Sequence, residues 1–274
     1  MQMSETPEAT ATFDVDALEF CRVERDGALT IVTLARPDRL NALHTPAHNE
    51  LAAVFDRFAA DPDQWVAIVT GEGRAFCAGN DLKYQAEGGG LDRPASGFAG
   101  LTSRFDCDKP IIAAVNGVAM GGGCEIALSC DLVIAASDAL FALPEPRVGL
   151  AALASGLHRL PRTIGWQRAM GMILTARRVP ADEALELGFV NAVVPGDKLT
   201  QEARRWADMI LQASPLSIRT SKSIARKGLK EPSLEDAIEH QRDNEVLDRM
   251  LASQDYREGP KAFAEKRKPD WKGY

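Results

Sequence analysis

The sequence predicts an α/β core followed by a helical module. Strand-like runs alternate with helical runs as far as about residue 196, and only helical runs follow. A chain of 274 residues can hold one large domain or a domain with an appendage. We therefore predict a flexible acidic N-terminal segment (1–20), an α/β core (21–196) and a C-terminal helical module (197–274).

Local signals predict the elements of the core. Apolar, β-branched runs predict strands, and a Thr-Pro pair before an apolar face predicts the first helix, with Thr45 as its cap. The predicted strands are 28–35, 65–70, 111–115 and 132–135, and the predicted helices are 45–60 and 124–130. This alternation is typical of βαβ-like units.

The last third of the chain contains no convincing strand. Its helical runs are predicted at 200–213, 215–228, 233–252 and 259–268. Residues 87–100 hold five glycines and one proline. They are predicted to form either a mobile loop at the mouth of a site or an ordinary surface loop.

Composition and charge exclude several classes of protein. A hydrophobic share of 45% and a charged share of 26% are ordinary for a globular protein. The net charge of −7 argues against general binding to nucleic acid or anionic membranes. The first twenty residues carry acids but no Lys or Arg, unlike a secretory or transit leader. Five scattered cysteines without a C-x-x-C pair predict packing thiols in a reduced, cytoplasmic protein. No run of eighteen apolar residues occurs, so no membrane span is predicted.

Three glycines before an acid form the most informative motif. Gly121-Gly122-Gly123 stand at the start of a predicted helix, with Glu125 in its first turn, and Glu145 follows twenty residues later. Free N–H groups at a helix start can polarise a carbonyl, and two acids beside it can move protons. Two structural alternatives remain: Glu125 could merely stabilise its helix, and Glu145 could pair with Arg147.

No metal or nucleotide motif is present. The sequence lacks a phosphate-binding P-loop, a dinucleotide G-x-G-x-x-G turn and a G-x-S-x-G nucleophile elbow. His44 precedes the predicted cap, so it does not share a helix face with His48. No metal site is predicted.

Five motifs together resemble the crotonase, or enoyl-CoA hydratase/isomerase, superfamily. They are Ala78-Gly79-Asn80-Asp81, Lys109-Pro110-Ile111-Ile112-Ala113-Ala114-Val115-Asn116-Gly117, Gly121-Gly122-Gly123-Cys124-Glu125, Phe141-Ala142-Leu143-Pro144-Glu145 and Glu258-Gly259-Pro260-Lys261-Ala262-Phe263-Ala264-Glu265-Lys266-Arg267. Each motif is weak alone, but together they stand in the family's order. The resemblance implies a crotonase-like spiral of ββα units and a C-terminal helical module that assembles trimers, often paired into hexamers.

The resemblance also implies the roles of individual residues. It places the catalytic acids at Glu125 and Glu145 and the oxyanion-hole N–H groups at Ala78 and Gly122. The implied substrate is an acyl-CoA thioester, so CoA enters as part of the substrate and no separate cofactor is expected. The residues implied to contact the substrate are Arg39, Ala78, Gly79, Asn80, Asp81, Leu82, Phe263 and Lys266. The last two would reach the CoA of a neighbouring subunit.

Two acids at these positions imply hydration of a 2-enoyl-CoA to a 3-hydroxyacyl-CoA. Double-bond isomerisation remains an alternative. A reaction like that of carnitinyl-CoA dehydratase is another, because the segment 141–145 is similar to that of family members resembling this dehydratase. Ala152 and Ser155 replace a proline and a glycine of the hydratase pattern beside the acyl pocket, which leaves the substrate open.

A further alternative is an RNA-binding or non-catalytic CoA-binding relative. Arg219, Lys222, Arg226 and Lys230 line one helix face. We interpret this face as a solvated stripe, with CoA phosphate or RNA as other possible contacts. The net negative charge argues against RNA.

Overall fold

A computed structural model describes residues 17–90 and 92–274, so most of the predicted acidic segment 1–20 lies outside the described residues. The strands are β1 (Cys21–Asp26), β2 (Leu29–Leu34), β3 (Val66–Gly71), β4 (Ala75–Cys77), β5 (Ile111–Val115), β6 (Val118–Met120), β7 (Leu132–Ala136), β8 (Leu140–Ala142), β9 (Val179–Pro180) and β10 (Ala192–Val194). The helices are α1 (Thr45–Ala60), α2 (Leu82–Ala86), α3 (Gly122–Ser129), α4 (Gly156–Ile164), α5 (Trp166–Thr175), α6 (Ala181–Leu187), α7 (Leu199–Leu211), α8 (Pro215–Gly228), α9 (Leu234–His240), α10 (Glu245–Ala252) and α11 (Gln254–Ala264).

The strands form two sheets that the chain builds turn by turn. One sheet has the order β1-β2-β3-β5-β7-β10, and the other has the order β4-β6-β8-β9. Each of the pairs β3/β4, β5/β6 and β7/β8 gives one strand to each sheet before the chain moves on. The parallel pairings of β2, β3, β5 and β7 complete the spiral. The predicted α/β spiral of ββα units is therefore confirmed.

Both faces of the six-stranded sheet are covered, as expected for parallel strands rich in Val and Ile. One face packs with α1 and α3 in the main core. The other face packs against Leu199, Ala203 and Ala207 of α7. The predicted boundary near residue 197 therefore does not coincide with the edge of the core, because α7 closes this face of the sheet.

The basic face of α8 docks the C-terminal helices onto the core. Lys222 forms an ion pair with Asp131 at 2.7 Å, and Arg226 forms one with Asp108 at 2.8 Å. The ammonium of Lys230 lies 5.5 Å from the centre of the ring of Phe105, an exposed side chain of the α/β part of the chain. The prediction of a solvated stripe is wrong, because this face is used inside the molecule.

Capping residues explain where the predicted helices differ. Thr45 is the first residue of α1 rather than its cap, and its hydroxyl donates to the carbonyl of Gly90. The predicted helix 233–252 is split into α9 and α10 because Asn244 caps α10 by accepting from the N–H of Val246. Helix α11 begins at Gln254, five residues before the predicted start, because Ser253 caps it there.

Side-chain burial agrees with the interpretation of the cysteines as packing residues. Cys21, Cys77, Cys107 and Cys124 are buried, Cys130 is half-buried, and all five are free thiols. Within residues 17–90 and 92–274, no helix has the length and apolar character needed to cross a bilayer.

Candidate active site

The glycine run begins α3 and lets it approach its neighbours closely. Gly121 has a φ of +54°, a conformation that favours glycine, and Gly122 is the first residue of the helix. A Cβ on Gly123 would lie 2.0 Å from the carbonyl oxygen of Cys77 in β4. Glycine at this position therefore lets the start of α3 lie directly against the end of β4.

The turn that follows β4 meets the start of α3. Gly79 has a φ of +96°, and a Cβ there would lie 2.8 Å from the carbonyl oxygen of Met120 and 3.2 Å from the nitrogen of Gly122. Asp81 caps α2 and forms an ion pair with Arg36 at 3.0 Å. The two glycine turns thus lie side by side, and Asp81 supports their geometry instead of lining the cavity.

The backbone donors of these turns differ in availability. The N–H of Ala78 donates to the carbonyl of Leu40 at 2.9 Å, so it is already engaged, which contradicts the prediction of a free donor there. The N–H of Asn80 has no acceptor among the described residues. Gly122 lies in the first turn of α3, where N–H groups have no partner within the helix. The available pair is therefore Asn80 and Gly122.

Glu125 is a buried carboxyl beside these donors. Glu125 is 2% exposed, and its Oε1 accepts a hydrogen bond from the N–H of Gly156 at 2.7 Å. Burial raises the pKa of Glu125 to about 7, the N–H of Gly156 opposes the rise, and the charge of Glu145 adds to it. A carboxyl with this pKa can exchange a proton near neutral pH.

Glu145 follows β8 and faces the start of α3. A Cβ on Gly121 would lie 2.8 Å from its Oε1, so glycine makes room for this carboxyl. Its Oε2 is buried without a hydrogen-bond partner among the described residues. Burial raises the pKa of Glu145 as well. Arg147 donates to the carbonyl of Thr175 and forms no ion pair with Glu145 in the described part of the chain, so the pairing alternative has no support.

Both carboxyls line one cavity of about 220 Å³ together with the two glycine turns. Most of the described residues that line it are small or apolar, and Arg93 is the charged one among them besides the two acids. The lining residues are Ala78, Gly79, Asn80, Leu82, Gln85, Arg93, Phe98, Gly121, Gly122, Glu125, Pro144, Glu145, Val148, Leu150, Ala151, Leu153 and Ala154. The arrangement provides two N–H donors and two acids around a small apolar space.

A buried histidine supports the wall of this cavity. Nδ1 of His48 accepts the N–H of Ala99 at 3.2 Å, and its ring lies 4.3 Å from the ring of Phe98. A Cβ on Gly122 would lie 2.4 Å from the Phe98 ring. His48 therefore holds the turn that presses Phe98 against the start of α3. It does so as a neutral imidazole, because burial lowers its pKa to about 3.

This histidine predicts a loss of stability in mild acid. In the unfolded chain, His48 binds a proton below its ordinary pKa of 6.5. In the folded protein, it stays neutral down to about pH 3. The free energy of unfolding should therefore fall as pH decreases through that window, by about 1.4 kcal/mol at about pH 5.5. Urea unfolding of the wild type and of His48→Asn at about pH 7.5 and 5.5 measures this. Equal pH dependence in the two proteins would contradict it.

Several predicted residues lie away from the cavity. Arg39 and Lys266 are exposed, and Phe263 is 87% exposed. Their predicted contact with CoA, including that of a neighbouring subunit, stays a prediction. Sequence reasoning missed Arg93, Phe98 and Gly156, and the glycine-rich loop 87–100 was the available signal for the first two.

Comparison with known proteins decides the family. The model of the enoyl-CoA hydratase/isomerase family matches residues 24–274. The chain belongs to this family. Carnitinyl-CoA dehydratase from Proteus mirabilis (strain HI4320) is 44% identical over 252 residues, covering 90% of this chain and 96% of the relative. The same-named protein of Escherichia coli (strain K12) is 42% identical over 260 residues, covering 93% and 99%.

Solved structures of the family have the same fold. An enoyl-CoA hydratase from Mycobacterium marinum superposes with a TM-score of 0.87 at 37% identity, covering 93% of this chain and 99% of that one. An enoyl-CoA hydratase from Bacillus anthracis superposes with a TM-score of 0.85 at 32% identity, covering 93% of this chain and 100% of that one. The family's crotonase fold therefore extends over nearly the whole chain.

Proposed function

We propose that this enzyme reversibly adds water to a 2-enoyl-CoA thioester to give a 3-hydroxyacyl-CoA. The observation that carries the proposal is that Glu125 and Glu145 both line the cavity that contains the N–H groups of Asn80 and Gly122. Two acids and two donors are what a hydration through an enolate requires. Family membership supports a hydratase or dehydratase, and the geometry supports this reaction in particular.

The first step forms the enolate. The thioester oxygen accepts hydrogen bonds from the N–H groups of Asn80 and Gly122, so negative charge can build up there. Glu125 takes a proton from a bound water molecule, and the water oxygen bonds to C3 of the double bond. The electron pair of that double bond moves towards the thioester oxygen.

The second step protonates the enolate. Glu145, in its acid form, gives a proton to C2, and the carbonyl of the thioester is restored. The hydroxyl of the water is then on C3, a proton from Glu145 is on C2, and the other proton of the water is on Glu125. Return of one proton from Glu125 to Glu145, directly or through solvent, restores the pair for the next turnover. Burial raises the pKa of both carboxyls, and two carboxylates in one buried site repel each other, which favours retention of one proton by the pair.

The second candidate is dehydration of a carnitinyl-CoA thioester. It is favoured by the two carnitinyl-CoA dehydratases, at 42% and 44% identity. The same two acids would serve it, since dehydration is hydration in reverse. A double-bond isomerase needs one acid, so two acids in the cavity favour hydration. RNA binding loses its main support because Lys222 and Arg226 are engaged with the core.

A panel of thioesters tests the proposal. Straight-chain 2-enoyl-CoAs of increasing length, a branched 2-enoyl-CoA, a 3-enoyl-CoA and 4-(trimethylammonio)but-2-enoyl-CoA are each mixed with the enzyme. We expect loss of the absorbance of the conjugated thioester with 2-enoyl substrates, and recovery of that absorbance from 3-hydroxyacyl-CoAs. Conversion of the 3-enoyl-CoA without any hydration would instead identify an isomerase.

The oligomeric state and the cellular location concern properties beyond a single chain. A trimer or a dimer of trimers stays a prediction, as does the cytoplasmic location. Apolar side chains such as Leu229 and Leu234 are exposed in the C-terminal module, at 89% and 78%. Such side chains are suited to a contact between subunits.

A further inference from the structure

Arg93 places a positive charge in the wall of the candidate active site. It lies between α2 and the turn that carries Phe98, and it lines the cavity together with Glu125. Its guanidinium carbon lies 5.2 Å from the centroid of the Phe98 ring. It is near enough to influence Glu125 and His48, since its charge lowers the pKa of each. Arg93 is therefore part of the site.

The hydrogen-bond donors of this guanidinium are not used by the part of the protein that the structure describes. Arg93 contacts the Phe98 ring there, but it forms no hydrogen bond or ion pair with a described residue. Other arginines near the site are engaged: Arg36 with Asp81, and Arg104 with Asp56. A guanidinium with free donors at a cavity wall can bind an acceptor on the ligand.

Arg93 is exposed at the edge of the cavity that it lines. That lining also includes the exposed apolar side chains of Leu82, Val148, Leu150 and Leu153 and the polar side chain of Gln85, while the two acids are the reacting groups. Arginine binds carboxylates with two parallel hydrogen bonds, and it repels cations. Phe98 is the aromatic side chain among the described residues of this wall, and one face of its ring is covered by Arg93. A quaternary ammonium group would therefore meet a positive charge where it needs an aromatic face.

We propose that Arg93 is a specificity-determining residue that selects 2-enoyl-CoA thioesters whose acyl group ends in a carboxylate. This inference rests on the hydration proposed above. It separates this chain from relatives named for a carnitinyl substrate, because a carnitinyl group carries a trimethylammonium group. Arg93 orients the distal carboxylate, and the two glutamates act on the double bond.

Three thioesters of similar shape test this proposal: 4-carboxybut-2-enoyl-CoA, its neutral analogue 5-methylhex-2-enoyl-CoA, and 4-(trimethylammonio)but-2-enoyl-CoA. For the wild type, kcat/KM should be about five- to tenfold higher for the carboxylate than for the neutral thioester. The trimethylammonium thioester should be lower again by a similar factor. Arg93→Met keeps an apolar stem and should reduce these ratios to about twofold or less.

Ratios are the informative quantity because Arg93 also lowers the pKa of Glu125. A change in that pKa alters the rates with all three substrates together and cancels in the ratios. Arg93→Lys should keep much of the ranking. Arg168→Met, at an exposed arginine of α5 outside the cavity lining, is the control and should leave rates and ratios unchanged.

Binding of saturated thioesters separates this inference from the proposed function. Glutaryl-CoA, 5-methylhexanoyl-CoA and 4-(trimethylammonio)butanoyl-CoA cannot be hydrated, but their affinities can be measured by calorimetry. If the wild type hydrates no probe yet binds these ligands in the expected order, and Arg93→Met loses that order, the proposed function fails and the role of Arg93 stands. Hydration with a flat or reversed charge ranking in the wild type overturns the role of Arg93 alone. An unchanged ranking in Arg93→Met overturns it as well.

Discussion

Replacing Glu125 by glutamine should lower kcat for hydration by about 10²–10⁴-fold and leave the affinity for a saturated acyl-CoA within about threefold. Glutamine cannot accept the proton of the attacking water. Its side-chain oxygen can still accept the N–H of Gly156, which donates to Glu125 at 2.7 Å, so the local structure should persist. The carboxyl acts on the transition state, so its loss appears in kcat. Stopped-flow absorbance and calorimetry measure the two quantities.

Glu145→Gln should lower kcat to a similar degree, and its residual activity should carry a distinct pH signature. The proposed mechanism needs Glu145 in its acid form, so loss of its proton at high pH should lower the rate of the wild type, whereas glutamine has no such proton to lose. The alkaline limb of the kcat/KM profile that belongs to Glu145 should therefore be absent in this variant, while the acidic limb set by Glu125 remains. Glu183→Gln, on a surface carboxylate paired with Arg177, is the control and should leave the profile unchanged.

Glu125→Gln should raise the free energy of unfolding although it lowers kcat. The folded protein raises the pKa of Glu125 above its ordinary value of 4.5, so the ionised carboxylate is disfavoured in the fold. The contribution of Glu125 to stability is therefore fully present below about pH 4.5 and is lost as pH rises through about 7. Above pH 7, Glu125→Gln should raise the free energy of unfolding by up to about 3 kcal/mol.

Two outcomes would contradict this account of the acids. One is a loss of thioester affinity in both glutamine variants that matches their loss of rate, which would point to structural carboxylates. The other is an equal free energy of unfolding for the wild type and Glu125→Gln at about pH 8. Urea titration with fluorescence detection, repeated at about pH 5 as the reference condition, measures the second quantity.

Much of the fold could be predicted from local sequence signals. Helix α8 and strand β5 have the predicted bounds, and helix α1 differs only in beginning at its predicted cap, because each has a strong local signal: a proline in the first turn of each helix and an unbroken apolar run in the strand. The glycine run and the two acids could also be predicted to lie together. They do so because the glycine run and Glu125 follow β6 and Glu145 follows β8, and these two short strands are neighbours in one sheet.

The parts that could not be predicted depend on partners distant in sequence. Strands β4, β6 and β8 have three residues each, which is too short for any periodicity. The N–H of Ala78 is engaged because Leu40, far back in the chain, supplies the acceptor. The basic face of α8 looked solvated because its acidic partners, Asp108 and Asp131, lie more than ninety residues earlier. Helical spacing shows which residues share a face, but it does not show what that face contacts.

Gly123→Ala should have the largest effect of the glycine substitutions around the site. The new Cβ would lie 2.0 Å from the carbonyl oxygen of Cys77 and 2.8 Å from its carbonyl carbon. Both atoms belong to the backbone of β4, so no side-chain rotation can relieve the overlap, and α3 and β4 must move apart. We expect a loss of about 1–3 kcal/mol in the free energy of unfolding.

The same movement should damage catalysis more than stability. Asn80 follows β4 by three residues and Gly122 begins α3, so separating β4 from α3 pulls the two N–H donors apart. Oxyanion donors contribute about 10²–10³-fold each, and small displacements at a reacting centre are costly. We therefore expect kcat to fall by at least about 10²-fold, measured on protein that is still folded at low temperature.

Gly171→Ala and Gly122→Ala serve as matched comparisons. Gly171 lies inside α5 with open space around it, so alanine there should stabilise the helix by about 0.5–1 kcal/mol without changing kcat. A Cβ on Gly122 would meet the buried ring of Phe98, a side chain of the acyl wall, and not the backbone of β4. Gly122→Ala should therefore mainly raise KM, because it changes the shape of the wall that contacts the acyl group. Equal losses of kcat in Gly122→Ala and Gly123→Ala would mean that the contact between β4 and α3 does not set the position of the donors.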